Sequence, residues 1–275
     1  MATEMRPLYK KALVIGATSG IGAALASKLI ENGTKVVVVG RRRKRLQAFV
    51  ETHGSDVSSA ITFDITNLSS IKSFAQSVIK SNPDLDCVIL CSGIQRGFDF
   101  TQPETIDLSL LGVELTTNYT SVVHLTAAFL PHLKKEPHGN LVYINAGAGL
   151  IPAMSRTPNY NASKAALHAF VMGIRYQLRD AGSPLNIVEV FPPAVQTELH
   201  NEEHQPDLVN GNEIGMPLEE FIDTMYDELV KGSDQFAVGF GTELFKEGGW
   251  EFQRGKMCDE VRSVLNVALL DYLRH

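Results

Sequence analysis

The chain has 275 residues, a formal net charge of −6 and 44% hydrophobic side chains, enough for one sizeable core. The acidic balance speaks against a nucleic-acid binder, and no run is long and apolar enough to span a membrane. Only three cysteines occur, Cys87, Cys91 and Cys258, the first two inside the apolar run CVILC, which fits buried thiols in a reducing, cytoplasmic setting.

Arg6, Lys10 and Lys11 ahead of an apolar run look superficially like a leader, but Gly16, Gly20 and Gly22 interrupt it. Lys11 to Ile15 reads instead as a buried strand. It leads into the turn GATSGIG, from Gly16 through Thr18, Ser19, Gly20 and Ile21 to Gly22, and then into a helical pattern ending at Gly33. Strand, glycine turn and helix together aim free N–H groups and a positive helix end at a phosphate. Val36 to Val39 is a second buried strand, closed by Gly40 and the basic run from Arg41 to Arg45. In dinucleotide folds a carboxylate at this place holds a free ribose 2′-hydroxyl. Here Arg41 and Arg42 suit a 2′-phosphate, so NADP(H) is expected over NAD(H).

Ala60 to Phe63 is the third strand, and Asp64-Ile65-Thr66 follows it. Asp64 is placed either to accept from an adenine amino group or to cap the next helix. Cys87 to Cys91 is the fourth strand, and Ser92 and Gly93 let the backbone pass close under a ligand. A long helix over 108–133 carries Asn118 among apolar residues, and a buried amide there requires a partner, structural or catalytic. Asn140 to Asn145 is the fifth strand, with the small-residue exit Asn145-Ala146-Gly147-Ala148-Gly149. After Pro158, Tyr160 and Lys164 fall four apart and therefore on one face of a helix. A neighbouring ammonium would bring the phenol down toward a useful acid–base range.

Ile187 to Phe191 is the sixth strand, closed by Pro192-Pro193-Ala194-Val195-Gln196-Thr197. The segment 198–230 reads as a substrate-side lid, polar and patternless up to Met216 and helical from Leu218 to Val230. Within it, His200-Asn201-Glu202-Glu203-His204 lacks a metal-protease pattern and reads as solvated loop, so no metal site is expected. Gln235 to Phe240 is a seventh, edge strand, Glu243 to Met257 reads as irregular, and Asp259 to Leu273 as a final helix with an apolar stripe. Strand and helix alternate without a linker, which specifies one α/β domain over 1–275: a doubly wound parallel sheet with helices on both faces.

The ordered set GATSGIG, Asp64, Gly93, Asn118, Tyr160 with Lys164, and the Pro192-to-Thr197 turn resembles the short-chain dehydrogenase/reductase family over nearly the whole chain. Within that family TPNYNASKAALHAF and PPAVQTELH look like the DltE-type oxidoreductases. The resemblance implies a seven-stranded Rossmann sheet in the order 3-2-1-4-5-6-7 and hydride transfer between a nicotinamide and a small-molecule carbonyl or alcohol. It also implies that Tyr160 exchanges the proton, Lys164 holds the nicotinamide ribose and lowers the tyrosine, and Asn118 anchors a relay water. Val195 and Thr197 would meet the carboxamide, Pro192 would border the cofactor, and the helices bearing Asn118 and Tyr160 would pair into a homodimer or homotetramer.

Three features depart from the family pattern, the least of them Ile15 ahead of Gly16, where the family often has threonine. The residues after the fourth strand read Leu90-Cys91-Ser92-Gly93, without the family's asparagine. The family's catalytic serine falls within Asn145-Ala146-Gly147, best at Ala146, and no serine is there. Loss of such a donor costs on the order of a hundredfold in rate. Asn145, or a backbone N–H of Ala146-Gly147, is the expected substitute. The alternative is a dinucleotide-binding homologue that has lost ordinary redox turnover.

Overall fold

The computed structural model describes residues 7–269 and residue 272. Seven strands form one parallel sheet in the order β3-β2-β1-β4-β5-β6-β7. They are β1 (Lys11–Ile15), β2 (Lys35–Gly40), β3 (Ser58–Thr62), β4 (Cys87–Leu90), β5 (Asn140–Ile144), β6 (Asn186–Phe191) and β7 (Gln235–Ala237). β1, β2, β4, β5 and β6 are buried on both faces, as their largely apolar runs require. The principal helices are α1 (Gly20–Glu31), α2 (Arg43–His53), α3 (Ile71–Ser81), α4 (Leu108–Leu115), α5 (Ser121–Leu133), α6 (Pro158–Asp180), α7 (Leu218–Val230) and α8 (Trp250–Leu269).

Alternate strand residues feed two cores, one on each face. Val14, Val38, Ile89 and Val190 pack with Leu25 and Leu29 of α1 and Phe221 and Met225 of α7. Leu13, Val37, Val88 and Leu141 pack with Phe74 of α3, Phe129 of α5 and Val171 of α6. Each parallel pair is joined through a helical crossover, so every strand delivers its carboxyl end to the same edge of the sheet.

Four expectations change. The helix over 108–133 is continuous but contains a π-helical turn at Thr116–Thr120, with Asn118 at its middle. β7 stops at Ala237, because Gly239 takes φ +75° and opens a short 3-10 stretch over Gly239–Leu244. The stretch read as irregular up to Met257 is helical from Trp250 onward and runs unbroken into the final helix. Leu273 of the expected stripe lies outside the described residues. Finally, Leu218–Val230 belongs to no lid: as α7 it buries Phe221, Ile222, Met225 and Leu229 in the core. Among the described residues no helix is long and apolar enough to cross a membrane.

Candidate active site

The carboxyl ends of the strands open into a cleft of about 660 Å³. It is lined by Gly16, Thr18, Ser19, Gly20, Ile21 and Gly22 from the first turn, and by Arg41, Arg42, Asp64 and Ile65 from the next two strand ends. Ser92, Gly93, Asn145, Tyr160, Lys164, Pro192, Val195 and Thr197 complete the wall, so the cleft gathers every expected site residue except Asn118.

The first turn is shaped to admit a phosphate. Gly16 has φ +94°, and a Cβ on it would sit 2.6 Å from the Ser92 nitrogen, so no larger residue fits where β1 and β4 diverge. A Cβ on Gly22 would strike the Gly16 carbonyl oxygen at 2.4 Å, which lets α1 start hard against the turn. Ser19 stands at the N-cap, yet its hydroxyl does not cap the helix. It accepts instead from Arg42 Nη2 at 2.6 Å, while Thr18 Oγ1 accepts from Arg42 Nε at 2.9 Å. Arg42 Nη1 also pairs with Glu198 Oε2 at 2.6 Å, and Arg45 holds the other oxygen at 2.5 Å. Burial alone would push the Glu198 carboxyl up, but the hydrogen bonds from Arg42 and Arg45 hold it down to about 2. Arg41 is exposed on the same rim. A dinucleotide phosphate fits this end: uncapped helix N–H groups and small residues in the turn, with Arg41 and Arg42 on the rim. Asp64 Oδ1 accepts from the Thr66 N–H and Oγ1 at 2.9 and 2.8 Å, a local turn ahead of α3.

Pro158 occupies the first turn of α6, where its missing N–H costs nothing. From there Tyr160 and Lys164 are both buried and project to the cleft floor, with Nζ 5.8 Å from the tyrosine ring centre. Lys164 Nζ donates to the Ile144 carbonyl at 3.0 Å. Burial brings its amine down to about 8. Burial also raises Tyr160 well above a phenol's ordinary value, with Glu114 and Cys91 acting the same way. The shift runs opposite to the expected lowering, and its main cause is loss of solvent. Asn118 lies just behind the floor. Its Oδ1 accepts from the Ile94 N–H at 2.9 Å, and its Nδ2 donates to Ile94 O at 2.9 Å and Ser163 Oγ at 3.1 Å. Both amide hydrogens are spent clamping the β4 exit to α6.

A family model described as short chain dehydrogenase matches residues 10–207. The uncharacterized oxidoreductase DltE of Bacillus subtilis is 31% identical over 235 residues, covering 84% of this chain and 88% of that one. A short-chain dehydrogenase from Sphingobium yanoikuyae, solved in complex with NADPH, superposes with a TM-score of 0.74 at 20% identity, covering 96% of this chain and 98% of its own. A Burkholderia phymatum short chain dehydrogenase/reductase, solved with NAD, gives 0.74 at 19% identity over 86% and 90%. The chain belongs to the short-chain dehydrogenase family.

At the β5 exit the expected substitutes for the serine already have partners within the fold. Asn145 Nδ2 donates to Glu189 Oε1 at 2.7 Å, and Asn145 Oδ1 accepts from the Ala146 N–H at 2.9 Å. The Gly147 N–H is taken by Pro192 O at 2.9 Å. The two backbone donors are thus engaged, and Asn145 spends one of its two amide hydrogens on Glu189. The Glu189 partner was missed in sequence, although a carboxylate inside the buried strand NIVEVF demanded one. Its other oxygen faces His168 Nδ1 at 2.9 Å, and His168 Nε2 faces Glu251 Oε1 at 3.1 Å.

Beyond the Tyr160–Lys164 pair the wall is mixed, with Ile94, Ile151, Met154, Leu199 and Phe240 beside Gln95, His200, Glu203 and His204. The segment after Thr197 is pinned rather than patternless. Arg156 Nε and Nη2 pair with Asp207 at 2.5 Å, and its Nη1 donates to Gln205 Oε1 at 2.5 Å. Gln205 Nε2 in turn reaches Gln95 Oε1 at 2.9 Å and Leu199 O at 2.7 Å. His200 is 6% exposed, not solvated, and burial together with Arg156 lowers its imidazole. No metal-holding cluster of His, Cys, Asp or Glu occurs among the described residues.

Proposed function

We propose that this short-chain dehydrogenase is an NADPH-dependent carbonyl reductase, or an alcohol dehydrogenase in the reverse direction, acting on uncharged apolar small molecules. The observation that carries the reading is the meeting in one cleft of the glycine turn, Arg42 and the buried Tyr160–Lys164 pair. When bound, the reduced dinucleotide supplies a hydride to the carbonyl carbon. Tyr160, held neutral by burial, donates its phenolic proton to the carbonyl oxygen, and Lys164 returns a proton to the phenolate. Arg41 and Arg42 hold the 2′-phosphate, Asp64 and Ile65 border the adenine, and Val195 and Thr197 border the nicotinamide carboxamide. The remaining lone pair on Asn118 Oδ1 is the anchoring point for a relay water toward Lys164; a Cβ on Gly93 would lie 3.7 Å from that oxygen and 3.8 Å from Nζ.

The substrate class rests on charge as well as on the apolar side chains of that wall. Neither Arg96 nor Arg156 lines the cleft, and Arg156 is paired with Asp207 and Gln205, so the wall beyond Tyr160 offers no arginine to an anionic substrate. The two fold neighbours carry different dinucleotides, so the preference for NADPH rests on the arginines. The deciding experiment is NADPH consumption against matched aliphatic and aromatic ketones and 3-oxo acids, with Tyr160→Phe as blank. Ketone reduction that the blank abolishes, with oxo acids at least tenfold slower, supports the reading.

The engaged Asn145 and the loss of a serine favour a second reading, a dinucleotide-binding protein without ordinary redox turnover. NADPH binding with no consumption across the panel would establish it in place of the first.

A further inference from the structure

α8 is twenty residues long, yet the single buried residue among those it shows is Glu251, 3% exposed. It is held to α6 by polar contacts: Arg179 pairs with Asp259 at 2.9 Å, Arg262 with Asp180, and Arg254 Nη2 reaches Met172 Sδ at 3.0 Å. The contacts that reach the interior are those of Glu251 and Arg254 with His168 Nε2, and His168 sits one turn beyond Lys164 on the buried face of the catalytic helix.

From His168 the contacts continue inward without a gap. His168 Nδ1 faces Glu189 Oε2 at 2.9 Å, Glu189 Oε1 accepts from Asn145 Nδ2 at 2.7 Å, and Asn145 Oδ1 accepts from the Ala146 N–H at 2.9 Å. The end point is the main chain of the residue aligned with the family's serine. Both carboxylates are fully partnered: Arg254 donates to the two oxygens of Glu251 at 2.8 Å, and Arg175 Nη1 lies 3.9 Å from Glu189. The His168 ring also stands edge-on to Phe191, 5.0 Å away at 82°, at the foot of the Pro192 turn. Apolar residues of equal volume would often hold a helix as firmly as such a buried charged set. What they would not supply is a fixed direction for the Asn145 amide and, through it, for the Ala146 backbone.

We propose that His168 and Glu251 are positioning residues: through Glu189 and Asn145 they fix the main chain at Ala146, so α8 sets the carbonyl-facing wall of the cleft. With no serine hydroxyl at that wall, its shape is what remains to align a carbonyl with Tyr160. The match to the family model ends at residue 207, so this control comes from a part of the chain outside it.

The test is hydrogen exchange followed by mass spectrometry on the full chain, read in peptides covering 144–150. Glu251→Leu fills the volume and leaves the Arg179–Asp259 and Arg262–Asp180 tethers of α8 in place, and should speed exchange there about tenfold or more. His168→Phe should do the same, whereas Glu251→Gln, which keeps an acceptor for His168, should restore slow exchange. Arg262→Ala removes a different α8 tether and should leave 144–150 unchanged. Unchanged exchange in Glu251→Leu or His168→Phe, or an equal rise in Arg262→Ala, would overturn the proposal. A kinetic arm, resting on the carbonyl reductase reading, expects Glu251→Leu to lower kcat for a ketone about tenfold with KM for NADPH unchanged. If the wild type reduces nothing, that reading fails while the exchange data still decide the positioning role.

Discussion

Lys164 sits in the fold with an amine that burial has brought down to about 8, from an ordinary value of 10.5. Above 10.5 it is neutral folded or unfolded and carries no penalty. As pH falls toward 8 the unfolded chain takes up the proton first, so the fold loses stability, on the order of 3 kcal/mol in all. Lys164→Met has no such dependence. Its urea stability relative to wild type should therefore be greatest near pH 7 and should shrink by pH 9.5; a pH-independent difference would contradict the buried amine. At the other end of the cleft, Glu198 neutralises part of the charge that Arg42 offers. Glu198→Gln should tighten NADPH over NADH by roughly threefold to tenfold. Arg41→Ala should loosen NADPH far more than NADH, and titration of both dinucleotides checks the pair. The glycine turn and the Tyr160–Lys164 face were legible in the sequence because each depends on local spacing. The Asn145 assignment was not, since its amide is directed by Glu189, 44 residues away on a neighbouring strand.

The π-helical turn between α4 and α5 places Asn118 against Ile94 and leaves Glu114, on the last turn of α4, fully buried with Oε2 unpartnered. Burial raises its carboxyl to about 7, against hydrogen bonds from Asn159 and the Arg96 backbone. The fold then loses stability as pH rises from 4.5 to 7, because only the unfolded chain ionises freely in that window. Glu114→Gln should match wild type near pH 4 and exceed it by roughly 1–3 kcal/mol at pH 8. Thermal or urea unfolding at the two pH values checks this; a wild type that is the more stable at pH 8 would refute it. A π turn leaves no mark in composition, since it adds one residue to an otherwise ordinary amphipathic helix. α8 was half missed for a related reason. Periodicity reports the apolar face a helix buries, and α8 buries a glutamate, with glycines at 248, 249 and 255 masking its start.

For the molecule as a whole, the exposed side chains Leu108, Leu110 and Val113 on α4 and Val261, Val264 and Leu265 on α8 are more apolar surface than a monomer usually presents. We expect a homodimer or homotetramer, measurable by sedimentation velocity; a monomer at micromolar concentration would contradict it. The strand order was legible because alternating strand and helix permits few arrangements. That same order bears on how the chain reaches its native state. Ala12 of β1 pairs with Cys87 of β4, a separation of 75 residues (87 − 12), while Ala12 pairs with Val36 and Cys87 with Asn140 across 24 (36 − 12) and 53 (140 − 87). The largest loop-closure cost in the sheet thus falls on the seam that the cleft straddles. The cleft draws its lining from both sides of that seam, Gly16, Arg42 and Asp64 on one and Ser92, Tyr160 and Thr197 on the other. Added dinucleotide should accordingly slow unfolding without hastening refolding, because nothing exists to receive it until the final join is made.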